Sequence, residues 1–399
     1  MPEYTVAASG VLAVAAIFAA LRGVLRRRAL WIGLAIFALL TVAVDVLLTR
    51  VGVYGHGSAF NAGILIDRMP IEDLMYGIAL YLVAVVAWSW NGSLKAPARV
   101  RAKPSKQKIR LVGELMRASR PFSWINTMLP FIAVALSIQH RLTLALVLGA
   151  LYFSAPYNLL LYGVNDLYDF ESDRRNPRKG GLIEGGLIPP RDARALWFAI
   201  AVATLPLLLL IAWLTPAAAL AIAAGSAVAL AYSVPPLRLK EVPGLDALTA
   251  SLAFVLPAVT GAILAGASPG QFPWLYLSAF LIWGLASQAL GAIQDVPYDR
   301  TAHIQSIAAW LGERPTALLA TGAYLMTVVM IASAGWPALI AAAALLPYAV
   351  LSASCLLGNP SRWARRAWKG FLGLNLLSGF VITLVLLQTG AVAILSEAP

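Results

Sequence analysis

About twelve apolar runs, each near the ~20 residues that a helix needs to cross a bilayer, follow one another through this chain. They lie near 4–21, 30–48, 73–91, 121–138, 144–164, 195–213, 217–233, 246–266, 273–293, 316–333, 336–357 and 370–389. With 60% of 399 residues hydrophobic, a soluble domain around one large core is excluded. The fold class is therefore all-α: a polytopic membrane protein of about twelve transmembrane helices. Residues 4–21 have no basic leader before them and no Ala-x-Ala-like cleavage site after them, so they read as a retained first span.

The charges fix an orientation for such a bundle. Alternating the sides puts the segments near 22–29, 92–120, 165–194, 234–245, 294–315 and 358–369 on one face, and 27 of the 30 Lys and Arg fall there. Only Arg50, Arg68 and Arg141 lie opposite. By the positive-inside rule the basic face is cytoplasmic, in a cell (inner) membrane, and both chain ends point outward. The net charge of +12 is thus a matter of topology and of lipid headgroups, and no nucleic acid partner is implied. Cys355 is the single cysteine, so intrachain disulfides are excluded. His56, His140 and His303 are too scattered for a zinc site.

Between Asn91 and Arg120 hydropathy collapses while Lys95, Arg99, Arg101, Lys103, Lys106, Lys108 and Arg110 interleave with Pro97 and Pro104. The prolines disfavour one continuous helix. The expected organisation is a three-helix part at 1–95, a basic linker at 96–111 and a nine-helix part at 112–399.

Two acidic clusters stand out against the apolar background: Asn165-Asp-Leu-Tyr-Asp-Phe-Glu-Ser-Asp173 and Asp295-Val-Pro-Tyr-Asp299. A carboxylate at mid-membrane is unfavourable by about 2.5–3.5 kcal/mol on insertion scales, so acids gathered at helix ends need a partner. On a helix Asp166, Asp169 and Asp173 share one face, within about 60° of arc. Asp295 and Asp299, at i and i+4, do the same. Two such faces make a hard-oxygen site for Mg²⁺, which usually takes one or two carboxylates and completes its shell with water and substrate phosphate. A diphosphate substrate follows. Arg174, Arg175, Arg178 and Lys179 after the first cluster, and Arg300 after the second, supply cations for its outer oxygens.

The first cluster fits Asn-Asp-x-x-Asp-x-x-x-Asp and the second Asp-x-x-x-Asp, which together resemble the UbiA superfamily of intramembrane prenyltransferases. Tyr232-Ser-Val-Pro-Pro-Leu-Arg-Leu-Lys240 resembles that family's Tyr-Ser-x-Pro-Pro-x-x-x-Lys loop, and Ser306-Ile-Ala-Ala-Trp-Leu-Gly312 the segment after its second motif. The likeness covers roughly 112–390. It implies nine helices around a cavity that opens laterally to lipid, with Mg²⁺ holding a prenyl diphosphate. It implies Asp166, Asp169, Asp173, Asp295 and Asp299 as metal ligands, with Asn165 beside them. By the same likeness Arg178, Lys179, Arg238 and Lys240 neutralise the departing diphosphate, and Tyr232 lines the cavity near the allylic carbon. Tyr152, Phe153, Tyr157, Tyr162 and Trp283 offer π faces to an allylic cation or serve simply as packing.

The first 95 residues hold Asp45 inside an apolar run and Pro70-Ile-Glu-Asp-Leu-Met-Tyr76 at the entrance of the third span. Acids in a membrane are functional suspects, although Glu72 and Asp73 at a helix entrance also suit a water boundary. This part resembles one subunit of the small heterodimeric carotenoid cyclases, which carry Pro-x-Glu-Glu or Pro-x-Glu-Asp before an aromatic. Val53-Tyr54-Gly55-His56 replaces their Trp-containing turn. One copy of the motif implies a second, separately encoded cyclase subunit as partner.

Together the resemblances imply a lycopene elongase joined to a cyclase subunit. Dimethylallyl diphosphate ionises at the Mg²⁺ site, the terminal alkene of lycopene attacks the allylic cation, and the new tertiary cation loses a proton or closes a ring. Glu72, Asp73 and Asp45 then stabilise that cation or take the final proton. Two alternatives stay open: a UbiA-type enzyme acting on a quinone precursor, a chlorophyllide-like ring or a glycerol ether, and a transporter. The second would place its carboxylates at mid-membrane within inverted repeats, and no repeat is visible.

Overall fold

Helices form where the apolar runs lie. The computed structural model of the chain describes residues 3–26, 28–50, 62–67, 69–93, 104–174, 180–181, 184–302 and 305–397, and it divides into two units, Met1–Arg101 and Ala102–Pro399.

In the first unit α1 (Glu3–Leu21) and α2 (Arg28–Arg50) both pack against α3 (Ile71–Ser93). Ala15 and Ala19 of α1 are buried in one cluster with Ala79, Leu82 and Val86 of α3. Small side chains let backbones approach closely, and in lipid that close packing takes the place of a hydrophobic driving force. A short antiparallel ribbon, β1 (Leu65–Ile66) with β2 (Met69–Pro70), leads into α3 and is the departure from the all-helical expectation. Asp67 turns it at a positive φ of 56°. Glu72 and Asp73 follow at once in the first turn of α3, where the helix dipole favours negative charge.

The second unit begins with α4 (Pro104–Ala118), which opens on a proline as first helical turns tolerate. The linker expected to end at 111 is thus helical from Pro104 onward. The chain breaks at Arg120, whose φ is +47°, and the stretches Leu111–Ser123 and Ile125–Gln139 meet at a 50° bend. Beyond it lie α5 (Ile125–Gln139), α6 (Leu144–Phe153) and α7 (Ala155–Asn158), then a π-helical turn at Leu159–Gly163. Next come α8 (Val164–Tyr168), α9 (Phe170–Asp173), α10 (Ala193–Leu214), α11 (Pro216–Ser233), α12 (Leu245–Leu264) and α13 (Trp274–Ala302). The chain closes with α14 (Ile307–Leu311), α15 (Glu313–Ala332), α16 (Ala338–Ser354) and α17 (Pro360–Glu397).

From α10 the long helices pack each on the next through α13, then α15, α16 and α17, and α17 returns to α5, which also lies on α12 and α6. That return closes the bundle. Gly261 sets the α5–α12 approach, since a Cβ there would stand 2.3 Å from the carbonyl oxygen of Phe131. Among the described residues eight helices are long and apolar enough to cross a membrane, nine if the bent pair around Arg120 is one span. Leu30–Leu39 and Ala338–Ser354 are shorter apolar helices.

Candidate functional site

The first acidic cluster does not lie on one regular helix. The π-helical turn precedes it, and α8 and α9 part at Asp169, whose φ and ψ of −99° and 4° leave the helical well. Asp166 and Asp169 consequently meet different elements. Asp166 is fully buried; its Oδ1 accepts a hydrogen bond from Arg120 Nη2 at 3.1 Å, and its Oδ2 one from the Gly186 N–H at 2.7 Å. The Arg120 guanidinium lies 4.1 Å above the Tyr162 ring. Gly185, at φ +97°, passes so close that a Cβ there would be 2.8 and 2.9 Å from the two Asp166 oxygens. The resemblance implies Asp166 as a metal ligand; the Gly185–Gly186 backbone covers its carboxylate.

Asp169 faces the Tyr232–Lys240 loop. Lys240 Nζ donates to its Oδ1 at 2.5 Å and Arg238 Nη2 stands 3.8 Å from the same atom. Lys240 is only 7% exposed, and burial lowers its pKa from the ordinary lysine value while the Asp169 carboxylate works against that shift. Arg238 also pairs with Glu241. Asn165 Nδ2 donates to Ser233 Oγ at 3.2 Å, and Gln288 Nε2 of α13 donates to the Tyr232 hydroxyl at 3.2 Å. So α8, the end of α11, the loop after it and α13 converge around the residues that the sequence singles out.

Asp173 is buried and Asp295 half-buried on α13, with Arg300 exposed one turn beyond. The side chain of Asp299 lies outside the described residues, as do Arg178, Lys179 and the Val53–His56 turn. Asp246 was missed in the sequence. Its Oδ1 accepts from the Gly244 N–H at 2.8 Å and its Oδ2 from the Ile307 N–H at 2.9 Å, tying the Tyr232–Lys240 loop to the segment after the second acidic motif. Arg120 was missed as well. The signal for both was present, a charge placed at the entrance of an apolar run.

Asp169, Asp173 and Asp295 offer hard carboxylate oxygens of the kind that Mg²⁺ takes, and the donor chemistry fits that ion. Among the described residues no three His, Cys, Asp or Glu side chains stand together as a self-sufficient metal cage.

Two aromatic groups differ in surroundings. Tyr152, Phe153 and Tyr157 are packed core, with the Tyr157 hydroxyl on the Ala253 carbonyl oxygen at 2.8 Å. Trp283 instead lines an apolar cavity of about 920 Å³, counting its open mouth, between α5, α12, α13, α15, α16 and α17. Phe280, Leu345 and Leu386 share its wall, and the Tyr348 hydroxyl donates to Asn375 Oδ1 at 2.9 Å beside it.

In the first unit the acids meet hydroxyls and an amide. Glu72 is fully buried, and its Oε1 accepts from Thr5 Oγ1 at 2.5 Å and from the Ala62 N–H at 2.7 Å. Tyr4 donates to Asp73, and Asp45 is buried. Tyr4 and Thr5, both on α1, carry no motif that a sequence would flag.

The helical bundle brings carboxylates and cations together at its helix ends, and residues 127–378 match the UbiA prenyltransferase family. The chain belongs to that family, and it carries a lycopene cyclase domain at residues 3–90. It is 37% identical to the C(50) beta-cyclic carotenoids biosynthesis protein LbtBC of Dietzia sp. (strain CQ4), over 92% of each chain. It is 41% identical to a lycopene elongase/hydratase of Corynebacterium glutamicum, over 70% of this chain and 98% of that one. Among solved structures, a UbiA homolog from Archaeoglobus fulgidus bound to DMAPP and Mg²⁺ shares the fold, with a TM-score of 0.52 and 21% identity over 68% of this chain and 99% of that one. The apo UbiA homolog from Aeropyrum pernix K1 does so with a TM-score of 0.51 and 24% identity, over 68% and 97%.

Proposed function

We propose that this chain transfers a five-carbon prenyl group from dimethylallyl diphosphate to lycopene and takes part in closing the carotenoid end group into a ring, in fifty-carbon carotenoid biosynthesis. One observation carries the proposal: the likeness to LbtBC runs through both units, 92% of each chain, so it covers the cyclase and the prenyltransferase parts in one polypeptide.

In this reading Asp169, Asp173, Asp295 and Asp299 hold Mg²⁺, which when bound supplies Lewis-acid stabilisation to the departing diphosphate. Lys240, Arg238, Arg178, Lys179 and Arg300 meet the outer phosphate oxygens, and Asn165 helps to seat them. Tyr232 borders the reacting carbon. The C–O bond of the donor breaks with its electron pair leaving on diphosphate, and the lycopene alkene adds to the allylic cation. The tertiary cation that results loses a proton to give an acyclic end or is attacked by the neighbouring alkene to close a ring. Glu72, Asp73 and Asp45 serve that second outcome, with a separately encoded cyclase subunit. The fold in this reading has three spans in a cyclase part, 1–95, a basic linker, 96–111, and nine in the prenyltransferase part, 112–399, with the acidic motifs on the cytoplasmic side and lipid around both.

The test is expression in a lycopene-producing host, with and without a partner cyclase subunit, followed by mass analysis of the pigments. Products of forty-five and fifty carbons are expected. Unchanged lycopene beside a prenylated quinone or ether lipid would overturn the proposal.

A further inference from the structure

We infer that Asp166 is a positioning residue of the diphosphate site rather than one of its metal ligands, and that Arg120 and the Gly185–Gly186 backbone are the partners through which it acts; the inference rests on the Mg²⁺-dependent reading of that site.

The geometry around the carboxylate leaves no berth for an ion. Mg²⁺ binds oxygen at about 2.0–2.1 Å and keeps several of its waters. The space in front of Asp166 is taken by protein: a single added Cβ at Gly185 would already stand 2.8 and 2.9 Å from its oxygens and 3.0 Å from Arg120 Nε. Those oxygens are engaged by Arg120 Nη2 at 3.1 Å and by the Gly186 N–H at 2.7 Å. A second clamp holds the same loop. Leu187 N–H donates to Glu114 Oε2 of α4 at 3.4 Å, and a Cβ on Gly186 would lie 2.9 Å from the Glu114 carbonyl oxygen. Arg120 itself adopts a left-handed φ of +47°, a strained state for a residue with a Cβ, which persists where its surroundings over-determine it.

Asp166 and Asp169 belong to one short stretch yet face different elements. Asp166 grips the α4–α5 junction and the Gly185–Gly186 loop, whereas Asp169 meets Lys240 and Arg238. Holding Asp166 therefore fixes the rotation at which α8 and the break after it present Asn165 and Asp169. In that role Asp166 needs a complementary partner, not a negative charge.

This separates the two roles experimentally. The full-length protein in detergent is titrated with Mn²⁺, observed by electron paramagnetic resonance, in the presence of the thiolo analogue of dimethylallyl diphosphate, whose C–S bond resists ionisation. Asp166→Asn alone leaves the half-buried Arg120 cation without the carboxylate it pairs with, and Mn²⁺ affinity falls by about tenfold, the scale of an indirect defect around a metal site. Arg120→Gln combined with Asp166→Asn replaces the ion pair by a neutral amide pair and recovers affinity to within about threefold of wild type, whereas Asp169→Asn loses more than about a hundredfold. Hydrogen exchange at the Gly186 amide speeds up in Asp166→Asn and not in Asp169→Asn. Equal loss of Mn²⁺ in Asp166→Asn, the double variant and Asp169→Asn, with the Gly186 amide still protected, would overturn the inference. If wild type binds no Mn²⁺ with the analogue, the Mg²⁺ reading of the site fails; the exchange of the Gly186 amide then still decides whether the latch exists.

Discussion

Among the described contacts, the donors that meet the acids differ between the two units. In the first unit Glu72 meets Thr5 and the Ala62 amide, and Asp73 meets Tyr4; in the second Asp166 meets Arg120, and Asp169 meets Lys240 and Arg238. A hydroxyl or amide donor orients a carboxyl group without placing a charge beside it. A carboxylate held by lysine and arginine belongs to a field built for a more highly charged visitor, a metal diphosphate. In the proposed reading the first set serves carbocation handling and the second serves diphosphate handling.

The comparison breaks most readily at Asp169. Asp169→Asn is expected to lower dimethylallyl transfer by about a thousandfold, at the upper end of single polar losses in active sites, while ring closure of supplied acyclic fifty-carbon carotenoid persists. Stripping Mg²⁺ with EDTA should do the same, reversibly. Radiolabelled donor and pigment chromatography check both, and loss of both activities together would merge the two sites.

Next in size, Glu72→Gln with Asp73→Asn should leave elongation intact and abolish cyclic product in cells that supply the partner subunit. Acyclic fifty-carbon pigment then accumulates, read by mass and by a red-shifted absorption. Cyclic product at wild-type yield would remove the cyclase role from the first unit.

Asp166→Ala tests stability before activity. Removing one member of a buried ion pair costs about 3–5 kcal/mol, and here up to that, since Arg120 keeps 18% of its side chain exposed. A marked fall in the thermal midpoint of the detergent-solubilised protein is expected, larger than for Asp169→Asn, whose carboxylate is 16% exposed. The smallest effect belongs to Tyr4→Phe. It removes one hydrogen bond to a charged group, worth about 1.5–3 kcal/mol, so cyclisation should slow roughly tenfold to a hundredfold with prenyl transfer unchanged. A fall in prenyl transfer in that variant would argue against separate sites.

Much of this was legible in the residues themselves. Each of the twelve apolar runs carries helix, because hydropathy is a local property, although among the described residues eight or nine of those helices are long and apolar enough to cross a membrane; the Asn165–Asp173 and Tyr232–Lys240 motifs also meet. The one regular helix expected to carry Asp166, Asp169 and Asp173 is interrupted at Asp169, whose φ and ψ of −99° and 4° part α8 from α9.

What only the tertiary structure decided is the pairing. Arg120 reaches Asp166 across 46 residues, Tyr4 reaches Asp73 across 69, and Asp246 takes the Ile307 amide across 61. Charge and periodicity place each of these residues on a helix end, but which end lies beside which depends on how the bundle closes, and on glycines such as Gly185 and Gly261 that admit a backbone where a side chain would not fit. Sequence alone determined that this chain must span a membrane and carry carboxylates at its helix ends. Packing decided which carboxylate is bonded to a hydroxyl, which to a cation, and which is buried beneath a loop, because those outcomes rest on ångström-scale approach between segments far apart in the chain.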